Sequence, residues 1–290
     1  MKKQIFKGVG TALITPFRNG EIDYAALDKI IDYQLTGGVD AIIIGGTTGE
    51  AATLSDAERY SLFDRCRERI PKNVKLILGT GTNDTAATVR HTRYAEGCGA
   101  DGVLIVTPYY NKGTFRGVTE HYLRISSSTG LPIILYNVPQ RTGVNLTLSQ
   151  LERLMKEENI VAIKEAGDSA DRLVSLSKYR EELALYAGND TQIYTALALG
   201  GLGVISVISN SHPTLTKKIT KDFFEGRREE SLKSQIRVLP YIEAMFRETN
   251  PAPIKYAMSR LGLCENELRL PLLEVGRESA EEIDHLLKEI

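Results

Sequence analysis

The residue in this sequence best suited to covalent chemistry is Lys164. It closes the run Ile160-Val161-Ala162-Ile163-Lys164, whose apolar and largely β-branched residues predict a buried strand. The amine would therefore emerge where a buried strand gives way to a loop. Burial disfavours the charged form of an amine, and the neutral form attacks carbonyls. Lys164 is thus a candidate nucleophile, although a lysine in such a place more often reaches solvent or pairs with a neighbour such as Glu165.

Four other predicted strands end in segments that carry reactive or anion-binding groups. These segments are Gly45-Gly46-Thr47-Thr48-Gly49-Glu50, Thr107-Pro108-Tyr109-Tyr110-Asn111-Lys112, Tyr136-Asn137-Val138-Pro139-Gln140-Arg141-Thr142-Gly143 and Gly188-Asn189-Asp190. The hydroxyls of Thr47 and Thr48, with exposed backbone N–H groups, suit a bound carboxylate. Tyr136 carries a hydroxyl able to shuttle protons, and Arg141 is a planar cation suited to a second carboxylate. Together with Lys164, these groups predict Schiff-base chemistry on a small keto acid.

Each of these segments also has an ordinary structural explanation. The glycines beside Thr47 could serve a turn, Tyr136 could be a packed strand aromatic, and Arg141 could be a surface charge. A Walker phosphate loop is excluded, because no Gly-Lys-Ser/Thr follows the glycines. The four histidines, at positions 91, 121, 212 and 285, are too dispersed to indicate a zinc site or a metal-dependent aldolase.

Apolar runs that predict strands alternate along the chain with amphipathic runs that predict helices. The predicted strands are Gly10–Ile14, Ala41–Ile44, Val74–Leu78, Gly102–Val106, Pro132–Tyr136, Ile160–Lys164, Leu183–Tyr186 and Gly203–Val207. The predicted helices include Tyr24–Leu35, Asp56–Arg69, Thr85–Glu96 and Leu148–Glu157. Ser55 and Glu58 have the spacing of a capping box at the start of the second of these helices.

This alternation predicts an α/β fold, the (β/α)8 TIM barrel, with a C-terminal helical extension. In such a barrel the active site lies at the carboxyl ends of the strands, where the polar segments fall. The alternative is an open doubly wound sheet, but the first strand is followed by no Gly-x-Gly-x-x-Gly fingerprint. The strand runs stop after Gly226, so the predicted domains are the catalytic barrel, residues 1–224, and a helical domain, residues 225–290.

The segment 229–290 is charged and carries apolar residues at helical spacing. They include Leu232, Ile236, Leu239, Ile242 and Met245, which predict the buried face of an appended helix. Asn250-Pro251-Ala252-Pro253 predicts a junction between two helices, because prolines interrupt a helix.

Composition excludes several classes of protein. With a net charge of −1 and evenly mixed signs, nothing indicates a nucleic acid or an anionic membrane as partner. Neither a signal peptide nor a run of about 20 apolar residues is present, so no membrane association is expected. The three cysteines are far apart and odd in number, which suits reduced thiols and predicts a cytoplasmic protein.

The motifs together resemble the dihydrodipicolinate synthases, within the N-acetylneuraminate lyase superfamily of class I aldolases. The resemblance runs nearly end to end, from Phe6-Lys7-Gly8 to the helical tail. The motifs that carry it are Gly46-Thr47-Thr48-Gly49-Glu50, the segments 107–112 and 136–143 quoted above, Ile163-Lys164-Glu165-Ala166 and Gly203-Val204-Ile205-Ser206-Val207. Within the superfamily, Arg141 in its Tyr-Asn-Val-Pro-x-Arg-Thr-Gly setting favours the synthases over the sugar-acid lyases.

The resemblance implies that pyruvate and L-aspartate 4-semialdehyde condense through a lysine Schiff base to 4-hydroxy-tetrahydrodipicolinate, in the diaminopimelate route to lysine. It implies Lys164 as the Schiff-base lysine and no metal or organic cofactor. Tyr136, Thr47 and Tyr110 would form a proton relay. The residues implied for substrate binding are Thr48, Arg141, Gly188, Asn189 and Ile205. Self-association as a homodimer or homotetramer is also implied, with Tyr110 crossing the interface into the neighbouring site.

Two other functions stay open at this point. A sister aldolase cleaving a sugar acid, such as N-acetylneuraminate or a 2-keto-3-deoxy acid, would use the same Lys164 without needing Arg141. A non-catalytic barrel that senses a keto acid would need no nucleophile. The resemblance also implies a lysine-binding site at the dimer interface of feedback-inhibited relatives. Ala87 and Arg59 depart from the glutamate and histidine often found in those relatives, which predicts weak or absent inhibition here.

Overall fold

Eight parallel strands close into a barrel in the computed structural model, which describes residue 2 and residues 4–290. The barrel strands, β1 to β8, are Gly8–Ala12, Ala41–Ile44, Lys75–Gly79, Gly102–Val106, Ile133–Asn137, Ile160–Glu165, Ala184–Ala187 and Gly203–Ser206. All eight strands lie within two residues of their predicted bounds. Strand β1 pairs with both β8 and β2, so the sheet closes on itself and the predicted TIM barrel is confirmed.

Helices alternate with the strands and surround the barrel. The helices α1 to α12 are Tyr24–Thr36, Asp56–Arg69, Thr85–Gly97, Phe115–Ser126, Pro139–Thr142, Leu148–Leu154, Ala170–Ser177, Ile193–Ala198, Pro213–Phe224, Arg228–Arg247, Ala252–Arg260 and Arg277–Glu289. The predicted capping box of Ser55 and Glu58 is present at the start of α2. Helix α6 ends three residues earlier than predicted, because Lys156 and Glu157 donate to the carbonyls three residues back and tighten its last turn.

The two faces of the strands form two separate apolar clusters. One contains strand residues of the barrel interior, such as Ile43, Ile77 and Ala162, and the other lies between the strands and the helices. Side chains two positions apart on a strand share a face. Lys164 therefore projects into the barrel on the same side as Ala162, and Glu165 projects outward.

Helices α10 to α12 confirm the predicted helical extension, and the junction predicted at residues 250–253 lies between α10 and α11. The predicted buried face of α10 is wrong in its first half. Leu232 and Ile236 are 39% and 56% exposed, whereas Ile242 and Met245 are buried as expected. Ser231 and Gln235 take the buried face instead, because their side chains donate to the carbonyls of Ile219 and Asp190.

The helical extension contacts the loop after β2 through a fully buried ion pair. Lys255 of α11 donates to the carboxylate of Glu50, and both side chains are inaccessible to solvent. The backbone N–H of Arg269 donates to the other carboxylate oxygen of Glu50, at 3.1 Å. Removing one partner of such a pair would leave an uncompensated buried charge, which costs about 3–5 kcal/mol. The extension therefore helps to hold the loop, and the division into two domains at residue 224 stays a prediction.

Among the residues that the structure describes, no helix combines the length and the apolar composition needed to cross a membrane.

Candidate active site

Lys164 lies inside the mouth of the barrel and is 5% exposed. Its neighbour across the ladder is Tyr136 on β5, and Lys164 Nζ lies 4.3 Å from the centroid of the Tyr136 ring. Among residue 2 and residues 4–290, no carboxylate lies within ion-pair distance of this amine. A buried amine without a carboxylate partner beside a phenol is the arrangement expected of a nucleophile whose protons pass through a hydroxyl.

Glu165 does not pair with Lys164, because its carboxylate is satisfied on the outer face of β6. It accepts hydrogen bonds from Asn137 Nδ2 at 2.9 and 3.0 Å, from the backbone N–H of Gly167 at 2.9 Å and from Arg172 Nε at 3.3 Å. The alternating faces of the strand thus separate two sequence neighbours of opposite charge. The ordinary explanation of Lys164, an ion pair with Glu165, is excluded.

The loop after β2 presents two adjacent threonines in different surroundings. Thr47 is partly exposed and lines a cavity of about 320 Å³, whereas Thr48 is buried. Thr48 Oγ1 accepts a hydrogen bond from Asn250 Nδ2 at 3.0 Å. Glu50 ends the loop in the left-handed backbone region, with φ of 53°, and is held there by its buried ion pair. The threonine pair is therefore anchored by residues of the helical extension on one side.

One cavity brings together three of the residues predicted for chemistry. Thr47, Tyr136 and Arg141 all line it, and so does Asn250. Arg141 lies on the short helix α5, and its Nη2 donates to the backbone carbonyl of Asn250 at 3.0 Å. A hydroxyl and a guanidinium lining one cavity suit two substrates that each carry a carboxylate.

Three further predicted residues lie at the carboxyl ends of β7 and β8, outside that cavity lining. Ile205 is fully buried in the interior cluster that also contains Tyr136. Gly188 follows β7 and is closely packed against the end of β6. A Cβ at this position would lie 2.6 Å from the Cβ of Ala166. Asn189 borders a separate cavity of about 350 Å³. These positions flank the strand end that carries Lys164, since β6 pairs with β7 and β7 with β8.

A buried carboxylate fixes the strand ends beside the amine. Asp190 accepts hydrogen bonds from the backbone N–H groups of Val207 at 2.9 Å and Ile208 at 3.2 Å. Burial raises the pKa of this carboxyl group above its usual value. The bonds tie the loop after β7 to the loop after β8, which fixes the backbone next to Asn189 and Ile205.

Tyr110 stands apart from the other predicted site residues within the chain. Its side chain is 88% exposed, its backbone is left-handed with φ of 73°, and it does not line the cavity that holds Tyr136. The neighbouring Tyr109 lines that cavity instead. The predicted crossing of Tyr110 into a neighbouring subunit therefore stays a prediction.

Sequence reasoning missed Asn250, which contacts two of the predicted substrate-binding residues. The sequence predicted only a helix junction there, because an asparagine before a proline is common at turns and helix ends. Its contacts join positions 48, 141 and 250, which no local pattern relates to one another. Among the described residues, no cluster of three histidine, cysteine or acidic side chains is placed to hold a metal ion.

Comparison with known proteins agrees with the fold. Residues 5–290 match the model of the dihydrodipicolinate synthetase family. The 4-hydroxy-tetrahydrodipicolinate synthase of Thermotoga neapolitana is 45% identical over 290 residues, covering 98% of this chain and 99% of the relative. The crystal structure of dihydrodipicolinate synthase from Thermotoga maritima superposes with a TM-score of 0.96 at 42% identity, covering 99% of both chains. The enzyme from Cyanidioschyzon merolae, solved with lysine bound, gives 0.95 at 34% identity, covering 99% of this chain and 98% of that one. This chain belongs to the dihydrodipicolinate synthetase family.

Proposed function

We propose that this chain is a Schiff-base-forming lyase that condenses pyruvate with L-aspartate 4-semialdehyde to 4-hydroxy-tetrahydrodipicolinate. The observation that carries the proposal is the buried amine of Lys164 against Tyr136, with no ion-pair partner among the described residues, beside a cavity that Thr47, Tyr136 and Arg141 line. The names of relatives up to 45% identical over nearly the whole chain support the same reaction.

In the proposed mechanism the neutral amine of Lys164 attacks the keto carbon of pyruvate, and water leaves as the imine forms. Thr47 and Thr48 hold the pyruvate carboxylate through hydroxyl and backbone N–H groups. The protonated imine accepts the electron pair of a methyl C–H bond, which gives an enamine. The enamine carbon then attacks the aldehyde of the second substrate, whose carboxylate pairs with Arg141.

The final stage closes the ring and frees the enzyme. The substrate amine forms a bond to the imine carbon, and the bond from that carbon to Lys164 Nζ breaks. Gly188, Asn189 and Ile205 would line the reacting adduct at the ends of β7 and β8. Protons would move through Tyr136, Thr47 and the Tyr110 hydroxyl of a neighbouring subunit, in a homodimer or homotetramer. A cytoplasmic location stays a prediction.

A coupled assay with three aldehydes tests the proposed reaction against a sugar-acid lyase. Pyruvate is supplied with L-aspartate 4-semialdehyde, N-acetylmannosamine or glyceraldehyde. Arg141 places a cation where the semialdehyde carries a carboxylate and the two sugar aldehydes carry none, so kcat/KM should be highest for the semialdehyde by at least about 100-fold. Faster turnover of either sugar aldehyde would assign the chain to the sister lyases, and no turnover of any aldehyde would favour a keto-acid sensor.

The exposed position of Tyr110 leads to a prediction about mixed oligomers. Lys164→Ala subunits and Tyr110→Phe subunits, each impaired alone, are dissociated, mixed and reassociated. A mixed dimer then contains one site with both defects and one with neither, so activity should rise above that of either parent. Mixing Lys164→Ala with Tyr136→Phe subunits is the matched control and should restore nothing, because those residues share a chain. Absence of recovery in oligomers shown to be mixed would mean that Tyr110 serves its own subunit.

The cavity also bears on inhibition by lysine. Arg59 is buried and lines the cavity beside Ala51 and Ala52, and its guanidinium donates to the carbonyls of Ala51 at 2.8 Å and Gly79 at 3.1 Å. Burial lowers the pKa of this guanidinium, but an arginine stays charged at neutral pH. A lysine ammonium entering here would meet a like charge. Ala87 offers no carboxylate to compensate, and an unpaired desolvated charge is costly.

We therefore expect activity to remain largely intact at millimolar lysine. The measurement is the initial rate at fixed pyruvate and semialdehyde over a lysine titration. A lysine-sensitive relative assayed alongside shows that the coupling system tolerates the amino acid. Half-inhibition well below one millimolar would show that another residue, such as the exposed Asp56, supplies the missing contact.

A further inference from the structure

Asn250 lies between Thr48 and Arg141 and contacts both of these residues. It precedes α11, is 6% exposed and lines the cavity that also contains Thr47, Tyr136 and Arg141. Its side-chain nitrogen donates to Thr48 Oγ1 at 3.0 Å, and its backbone carbonyl accepts from Arg141 Nη2 at 3.0 Å. One residue of the helical extension thus contacts both proposed carboxylate-binding groups.

The remaining polar atom of this side chain is unused. Asn250 Oδ1 is buried and accepts no hydrogen bond from any residue that the structure describes. A buried acceptor without a partner is costly, so native structures seldom keep one unless a ligand or an ordered water completes it. An acceptor beside a substrate-sized cavity is therefore an expected contact point for a donor group of the substrate.

Covalent geometry identifies that donor, provided that the proposed function holds. In L-aspartate 4-semialdehyde the amino group and the carboxylate are attached to the same carbon. If the carboxylate pairs with Arg141, the amino group must lie beside the guanidinium. The backbone carbonyl of Asn250 contacts that guanidinium, and the unused side-chain oxygen belongs to the same residue, so Asn250 Oδ1 is an acceptor close to the place of the amino group. We propose that Asn250 Oδ1 accepts a hydrogen bond from the amino group of the aldehyde substrate and thereby selects an amino aldehyde.

The neutral amide suits the chemistry that this amino group must perform. In ring closure the amine nitrogen uses its lone pair to form a bond to the imine carbon. The carbon–nitrogen bond to Lys164 then breaks, its electron pair returns to Lys164 Nζ, and that nitrogen takes the proton that the amine loses. A neutral acceptor orients one N–H and leaves the lone pair available, whereas a carboxylate would favour the unreactive ammonium form.

The test compares two aldehydes that differ only in the amino group. Succinate semialdehyde keeps the carboxylate and the aldehyde of the substrate but carries hydrogen in place of the amine. Two quantities are measured for each variant. One is kcat/KM for L-aspartate 4-semialdehyde, and the other is the constant for inhibition of that reaction by succinate semialdehyde. Borohydride trapping of the pyruvate imine shows that each variant is folded and holds Lys164 in place.

Asn250→Leu should lower kcat/KM for the amino aldehyde by at least about tenfold. The inhibition constant of succinate semialdehyde should change less than about threefold, because that compound has no amino group for Asn250 to bind. Asn250→Asp keeps an acceptor oxygen, so it should raise the KM for the amino aldehyde less than Asn250→Leu does, while its carboxylate should lower kcat by favouring the ammonium form. Thr48→Val is the matched control. It removes the hydrogen bond to Asn250 but should weaken the binding of both aldehydes equally.

In Asn250→Leu, kcat/KM for the amino aldehyde and the affinity for succinate semialdehyde could fall by the same factor. That result would overturn the inference and leave Asn250 as a positioning residue for Thr48 and Arg141. Unchanged kinetics in Asn250→Leu would overturn it as well. A wild-type protein that turns over no L-aspartate 4-semialdehyde would instead refute the proposed function itself, so the two failures are distinguishable.

Discussion

Lys164→Ala should abolish condensation and leave no covalent adduct with pyruvate. Without the amine no imine forms, and the electron sink that enamine formation requires is lost. The expected loss in kcat is at least about 10⁴-fold, as for removal of other covalent nucleophiles. The measurement is the steady-state rate, together with borohydride reduction in the presence of pyruvate and mass spectrometry of the peptides.

The second buried lysine in the described chain supplies the control for this experiment. Lys255 is fully buried, but its ammonium is paired with the carboxylate of Glu50, so it should remain unlabelled. In the wild-type protein the peptide that carries Lys164 should gain the mass of reduced pyruvate. Label on Lys255 or any other lysine, or no label at all, would refute the proposed mechanism.

Arg141→Ala should impair use of L-aspartate 4-semialdehyde far more than it impairs imine formation with pyruvate. A charge-assisted, bidentate contact to a carboxylate is worth on the order of 2–4 kcal/mol. Since each 1.4 kcal/mol is tenfold, kcat/KM for the semialdehyde should fall by roughly 30-fold to 700-fold. The pyruvate imine, measured by borohydride trapping, should form at nearly the wild-type rate.

Arg153→Ala is the matched control for the loss of a positive charge. Arg153 is an exposed arginine on α6 whose one ion-pair partner among the described residues is Glu157, four residues along the chain. Its removal should leave kcat/KM for the semialdehyde within about twofold, because exposed ion pairs contribute little. An unchanged kcat/KM in Arg141→Ala would mean that the second carboxylate is bound elsewhere.

The amino-acid sequence by itself determined the barrel and the candidate reactive groups. Buried parallel strands require continuous apolar runs, so all eight could be recognised locally, and their polar ends marked Thr47, Tyr136, Lys164 and Arg141. The capping box before α2 is likewise a local pattern. Such features depend only on residues close together in the chain, namely the spacing of apolar residues and the residue types that follow a strand. They can therefore be predicted without knowing the tertiary structure.

Only the tertiary structure decided which polar groups meet. The sequence left Glu165 as a possible partner of Lys164, and the hydrogen bonds of Asn137, Gly167 and Arg172 excluded it. The buried face of α10 was mispredicted, because a pattern of apolar residues cannot show that Gln235 makes a buried hydrogen bond.

The contacts of the helical extension with the barrel mouth were also invisible in the sequence. Asn250 meets Thr48 across 202 residues and Arg141 across 109, and Lys255 meets Glu50 across 205. A hydrogen bond between such distant positions depends on where whole helices pack, and no local spacing encodes it. The sequence therefore determined which groups could react, and the packing of α10 and α11 onto the barrel decided what holds them.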